Sequence, residues 1–370
     1  LVAFLAYCLS VTLKYRLRAH APGLTPRAVL DKLAAIQMLD VSLPTTDGRC
    51  LTMPRYTEPE PDVALMLHQL KLTLPNQHPP RITALSGETL MKNSQGKAIE
   101  HFGYRDGISQ PVLLEADAPP TPENWDPSSG PNLVLTEAPL GERKVDWGSY
   151  YVFRKLEQNV RRFKEHERDL AGELNLTGDS RELAGAMVIG RFEDRTPVAL
   201  SGAALGANTP ANDFVYGDPN TDPQGYRCPF SAHIRKTNPR GDPNGQTLDE
   251  QKSHRIVRRG MPYGDPTPPS SNLEALPETG VGLLFQCYQA NLAHQFEFLQ
   301  RAWANNAEMA RPGTGIDPVI GQSNNGSIPD LRFPTRWGAP GSTPFSFHSV
   351  VTLKGGEYFF APSITFLKGL

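Results

Sequence analysis

Two stretches of the chain change hydrophobic period in the same way. Tyr150-Tyr151-Val152-Phe153 is a continuous apolar run of strand length, after which Leu156, Val160 and Phe163 recur at the spacing of one helix face. Leu283-Leu284-Phe285 is a second such run, followed by Leu292, Phe296, Leu299 and Trp303 at helical spacing. Each stretch predicts a strand that feeds a helix. The strand registers are offset by 134 positions (Gly148 to Gly282) and the helix registers by 136 (Val160 to Phe296). That agreement suits an internal duplication, and equally any α+β protein with two strand-to-helix transitions.

Shorter β-like runs complete the pattern. Ala186-Met187-Val188-Ile189 is one, and Val350-Val351-Thr352-Leu353 and Glu357-Tyr358-Phe359-Phe360, split by Lys354-Gly355-Gly356, read as a hairpin. Strands and helices mix without a regular βαβ rhythm, and no GxGxxG follows a strand. An α+β architecture is therefore expected rather than a doubly wound sheet.

Composition narrows the partners. With 39% apolar and 21% charged residues over 370 positions, the chain can bury one large core or two smaller ones. A net charge of −2 gives no electrostatic reason to expect nucleic acid or an anionic membrane as partner. Pro and Gly cluster from about Pro59 to Pro131 and from Pro219 to Pro277, which predicts long ordered loops of the kind that carry function. Cys8, Cys50, Cys228 and Cys287 form no CxxC pair, so they read as buried thiols, with two disulfides of a secreted protein as the alternative.

The apolar run Leu1 to Leu13 is too short to span a bilayer, and Lys14, Arg16 and Arg18 follow it instead of preceding it as in a signal peptide. Without an initiator Met the chain reads as trimmed, which leaves cytoplasmic and secreted locations both open. No pattern specifies an oligomeric state.

Three segments could carry chemistry. In His101-Phe102-Gly103-Tyr104-Arg105-Asp106-Gly107-Ile108-Ser109-Gln110-Pro111, two glycines flank a charged pair and allow a flat ligand to approach the main chain beside Asp106; Asp-Gly is also a common turn. In Cys228-Pro229-Phe230-Ser231-Ala232-His233-Ile234-Arg235-Lys236-Thr237-Asn238-Pro239-Arg240, an imidazole beside an apolar wall suits an axial iron ligand. The cations after it, Arg235 first, could meet the carboxylates of a porphyrin; a half-buried loop His is the plainer reading. Arg255-Ile256-Val257-Arg258-Arg259-Gly260 interleaves cations with apolar residues, as in a strand that turns Ile256 and Arg258 one way and Arg255, Val257 and Arg259 the other. A solvated basic strand would look the same.

Together and in this order, the three segments resemble those of the dye-decolorising peroxidases. Gly103-Tyr104-Arg105-Asp106-Gly107 looks like that family's GxxDG signature, His233 falls in its proximal histidine segment, and Ile256 to Gly260 resembles its distal arginine segment. Gly282-Leu283-Leu284-Phe285, Asp317-Pro318-Val319-Ile320-Gly321 and Phe359-Phe360-Ala361-Pro362-Ser363 also resemble family motifs, so the likeness runs from about His101 to Leu370.

The resemblance implies two ferredoxin-like modules of the dimeric α+β barrel type, expected over residues 1–180 and 181–370, with haem b held mainly by the second. It implies His233 as the iron ligand, with Asp317 as acceptor for its other ring nitrogen. Asp106 would move the proton of hydrogen peroxide, and Arg258 would stabilise developing negative charge. Gly103, Gly107, Ile108, Arg235, Leu283 and Phe285 would line the cofactor. Bulky aromatic electron donors, dyes or phenolics, would act from the surface, with Trp147, Trp303, Trp337 and Tyr288 as relay candidates by side-chain type.

A haem-binding or iron-handling protein on the same fold is the rival reading, against which the pairing of Asp106 with Arg258 speaks. The chain stops at Phe366-Leu367-Lys368-Gly369-Leu370 without an added docking tail, which speaks against a shell cargo.

Overall fold

The computed structural model describes residues 2–34, 36, 38–44, 50–56, 59–71, 81–82, 91–93, 96, 98–105, 110–114, 130–138, 146–208, 212–267, 270 and 272–363, with backbone only for 2–10, 38–44, 50–56 and 81–82. Two compact units divide at Glu88 and Thr89. The first holds helices α1 (Val2–His20), α2 (Pro26–Leu33) and α3 (Pro61–Gln69) and an antiparallel sheet of β1 (Met38–Pro44), β2 (Cys50–Tyr56) and β3 (Arg81–Ile82). Helix α2 starts where Pro26 presets the backbone and the Thr25 hydroxyl accepts the Ala28 N–H at 3.2 Å. Leu17, Val29, Met66 and Leu70 form the small core that the helices share.

The second unit contains β4 (Thr136–Glu137), β5 (Trp147–Gln158), α4 (Val160–Glu173), α5 (Glu182–Ile189), α6 (His233–Thr237), α7 (Leu248–Ser253), β6 (Val257–Arg258), β7 (Met261–Tyr263) and β8 (Gly282–Gln289). These are followed by α8 (Phe296–Phe298), which continues as a π-helical turn over Leu299–Ala304, and by β9 (Ser327–Pro334), β10 (Ser342–His348) and β11 (Val351–Pro362). The main sheet runs β11-β5-β8-β6, antiparallel throughout, with β4 added to β5 and β7 to β8; β9 and β10 pair separately. Counted along the chain, those four strands lie in the spatial order fourth, first, third, second, with α4 after the first and α8 after the third. That is the βαββαβ arrangement of a ferredoxin-like module.

The two strand-to-helix stretches are thus the two halves of one module. Tyr150 lies opposite Gln289 and Leu156 opposite Leu283 within a single sheet. The expected boundary at residue 180 falls between α4 and α5, within the second compact unit.

Several local expectations are corrected. Leu156 belongs to β5, which reaches Gln158; α4 begins only after Asn159, whose side chain accepts the Arg162 N–H at 2.9 Å. Ala186 to Ile189 is helix: every residue of α5 from Leu183 to Ile189 is buried, so no polar face marks the helical period, and Gly190 ends it with φ of 102°. The expected terminal hairpin is one continuous strand, because the long β5 offers partners from Gln158 to Gly148 and a bulge absorbs the Lys354-Gly355 step.

One core packs Phe163, Leu170, Met187 and Val188 of α4 and α5 against Ile328, Leu331, Phe333 and Phe347 of β9 and β10. A second joins Val152 and Cys287 of the sheet to Phe296, Leu299 and Trp303. Cys228 and Cys287 are buried free thiols, as expected; the side chains of Cys8 and Cys50 lie outside the described residues.

Candidate functional site

His233 opens α6, and its Nδ1 lies 2.8 Å from Asp317 Oδ2. Asp317 is fully buried, and its other oxygen accepts the N–H groups of Val319 and Ile320 at 2.8 and 3.0 Å. The Asp-Pro turn and the histidine partner are therefore the same feature. With Nδ1–H given to Asp317, the imidazole keeps a lone pair on Nε2, on a side chain that is 27% exposed. One turn on, Lys236 Nζ donates to the Asn306 carbonyl at 2.6 Å; burial lowers its pKa to about 8, opposed by the Asp317 and Glu308 charges.

Arg235 does not meet the expectation of a cofactor contact. Its five N–H donors go to Asp242 (2.7 and 2.6 Å), Asp222 Oδ2 (2.9 Å), the Asp222 carbonyl (2.9 Å) and the Cys228 carbonyl (2.6 Å). Burial pushes both carboxyls up while the guanidinium pulls them down. The side chain is a buried structural ion, packed on the rings of Tyr216 and Phe230.

A different set of arginines gathers nearby. Burial lowers the pKa of Arg191, and the charges of Arg258 and Arg195 lower it further. Burial lowers Arg240 to about 10, with Arg191 and Arg255 adding to the effect. Arg191 donates to the Arg195 carbonyl at 3.0 Å, and Arg240 to the carbonyls of Asn212 and Phe214 at 2.9 and 3.1 Å. Arg191, Arg240, Arg255 and Arg258 thus build a region of positive potential. Sequence reasoning missed Arg191; its signal is a cation set directly after the apolar run of α5 and Gly190.

The segment from His101 to Gln110 is fastened to the arginine segment at both ends. His101 Nε2 meets the Tyr263 carbonyl at 2.8 Å and its Nδ1 the Thr267 hydroxyl at 3.0 Å, while Gln110 Oε1 accepts the Arg258 N–H at 3.0 Å. Asp106, Gly107 and Ile108 lie outside the described residues. Gly103 has φ of 101°, a conformation that L side chains rarely adopt, so the backbone favours glycine there.

Glu100 holds the stem of this segment. Its carboxylate accepts the N–H groups of Phe102 and Tyr104, each at 2.9 Å, and the Gln158 side-chain amide at 2.5 Å. Burial of that carboxylate raises its pKa to about 7 against these bonds and the Lys164 charge. Phe102 stacks on Phe163 at 4.2 Å, and the Tyr104 hydroxyl donates to Glu167 at 2.6 Å.

Arg258 pairs with Cys287 in register, and Phe285 and Leu283 follow at alternate positions of β8, so all four share one sheet face. This brings Arg258, Leu283 and Phe285 onto one face, by a shorter strand than expected. Only Val257 and Arg258 pair; Ile256 and Val257 are both buried and Arg259 is exposed, so the alternation expected over five residues does not hold. Phe296 packs 6.0 Å from Phe285, and at the other end of the same helical turn the Ala304 carbonyl accepts the Asp317 N–H at 2.8 Å. One helix thus contacts both the arginine face and the histidine's acceptor.

The relay candidates separate by exposure. Trp303 is buried and donates to Gln246 at 3.3 Å, Trp337 is half-buried and donates to the Val198 carbonyl at 2.8 Å, and Tyr288 lies 5.0 Å from the Tyr151 ring. Trp147, 37% exposed, is the surface member of the four. Among the described residues, no helix is long and apolar enough to cross a membrane.

Comparison with known proteins places this geometry in context. A family model described as Dyp-type peroxidase, C-terminal, matches residues 131–311. The multifunctional dye peroxidase DyP2 of Amycolatopsis sp. is 45% identical over 302 residues, a match covering 76% of this chain and 62% of the relative, so the chain spans less than two thirds of that relative's length. The solved structure of DyP2 from Amycolatopsis sp. superposes with a TM-score of 0.70 at 40% identity, covering 85% of this chain and 70% of that one. The DyP-type peroxidase AnaPX of Anabaena sp. superposes with a TM-score of 0.66 at 38% identity, covering 85% and 67%.

Proposed function

Since the chain belongs to the DyP-type peroxidase family, we propose that it binds haem b and reduces hydrogen peroxide while oxidising dyes, phenolics or other bulky aromatic donors one electron at a time. The observation that carries this reading is the 2.8 Å pair of His233 Nδ1 with the fully buried Asp317. The pair fixes the tautomer and ring plane, leaves Nε2 for the iron, and makes the imidazole more electron-donating. The residues present fit the group: one imidazole with an oriented free nitrogen, and a separate set of arginines.

When bound, the haem supplies the redox centre for peroxide cleavage and donor oxidation. The protein's part is positioning and proton transfer. Arg191, Arg240 and Arg255 would supply the positive potential for the haem carboxylates, the task expected of Arg235. Asp106 takes the proton from one oxygen of hydrogen peroxide and returns it to the other, which leaves as water. Arg258 stabilises the negative charge that develops on the way. Gly103, Gly107 and Ile108 would line the haem, and Leu283 and Phe285 on the Arg258 face would wall its pocket.

The test is direct. The haem-loaded protein should change its Soret band within seconds of receiving one equivalent of hydrogen peroxide, and a phenolic donor should restore it. Stable haem binding with no response to peroxide would overturn the peroxidase reading in favour of a haem carrier.

A further inference from the structure

A cleft of about 230 Å³ opens on the surface of the second unit, lined among others by Tyr226, Phe230, Ser231, Arg311, Thr314 and Arg332, and no Asp or Glu lines it. Its walls combine aromatic and proline surface with two guanidinium groups. Arg311 lies over the Phe230 ring at 4.7 Å and donates to Gln224 at 3.1 Å and to the Pro223 carbonyl at 2.8 Å, which engages two of its five N–H groups. It also draws down the pKa of Asp242, but that carboxylate is bound to Arg235.

Arg332 is exposed, and its guanidinium makes no hydrogen bond or ion pair with any described residue. Ser231 is only 2% exposed, yet its hydroxyl has no hydrogen-bond partner among the described residues. That oxygen is closed to solvent, so the groups the cleft offers to a ligand are the two guanidiniums.

We propose that this cleft binds a monocyclic aromatic carboxylate, its ring against Tyr226 and the edge of Phe230 and its carboxylate between Arg332 and Arg311. The volume lies below that of drug-sized pockets and admits one ring with small substituents. Guanidinium forks match a carboxylate with two parallel N–H bonds. The site is built wholly from protein groups, so its occupancy does not depend on the peroxidase reading, and either can fail without the other.

The experiment is calorimetric titration of the full haem-loaded chain with benzoate, and with benzamide as the neutral isostere. Expected is saturable one-to-one binding of benzoate, at least tenfold weaker for benzamide and for the Arg332→Gln protein. The Soret band should match between wild type and Arg332→Gln, which separates this site from any benzoate held at the haem. Absence of saturable binding, equal affinity for benzamide, or affinity unchanged in Arg332→Gln would each overturn the proposal. Arg332 is exposed and unpaired among the described residues, so its replacement leaves the fold intact; a loss of the thermal transition in that variant would itself contradict this account.

Discussion

The backbone N–H of Arg258 donates to the side-chain oxygen of Gln110 at 3.0 Å. Residues 148 positions apart in sequence are thereby held in one register, and the segment that contains Asp106 is fastened to the strand that presents Arg258.

Replacing Gln110 by Leu removes the acceptor and leaves the Arg258 N–H unsatisfied, a cost of about 1 kcal/mol. The second-order rate with hydrogen peroxide should fall about fivefold, with haem stoichiometry unchanged, as measured by stopped-flow absorbance. An unchanged rate would show that the bond does not position the reacting groups.

Glu100 gives the pH dependence of stability a definite sign. Its pKa rises from an ordinary 4.5 to about 7 in the folded chain, so the folded state binds this proton more tightly than the unfolded state. The stabilisation is complete below about pH 4.5 and is lost as pH rises to about 7, a change of about 3 kcal/mol. His166 acts the other way: burial depresses it to about 4, helped by His348 and Arg162, so its contribution is lost as pH falls from 6.5. Comparing wild type with Glu100→Gln by denaturant titration cancels that opposing slope. The wild type should lose stability relative to the variant across this window, and a constant difference would contradict the assignment.

Arg235 should matter to folding and not to the cofactor. Arg235→Ala leaves Asp222 and Asp242 buried without their cation, at a cost of about 3–5 kcal/mol. Chemical denaturation should show that loss, while any protein that remains folded binds haem with wild-type affinity. A stable variant with weakened haem binding would mean that Arg235 does reach the cofactor.

Much of the site was legible because its signals are local. His233 stands alone among small and apolar neighbours, Asp317 precedes a proline turn, and Leu283 and Phe285 are two apart in a strand; the structure sets each in a compatible environment. The errors came where tertiary partners override local pattern. Helix α5 is buried on all sides and so carries no period to read. The glycines at 355 and 356 look like a turn, but β5 is long enough to keep the strand paired through them. Nothing adjacent to Arg235 in sequence reveals Asp222 and Asp242, which consume it. The repeat of strand and helix was real, and only the topology identifies it as two halves of one module.

The proposed ligation of the haem iron by His233, oriented by Asp317, carries a vibrational signature. Resonance Raman spectroscopy of the ferrous protein reads that bond directly through the iron–imidazole stretching band. The band should be present in wild type, shift to lower frequency in Asp317→Asn as the imidazole becomes less electron-donating, and vanish in His233→Ala. The same band, unmoved, in haem-loaded His233→Ala would contradict the account.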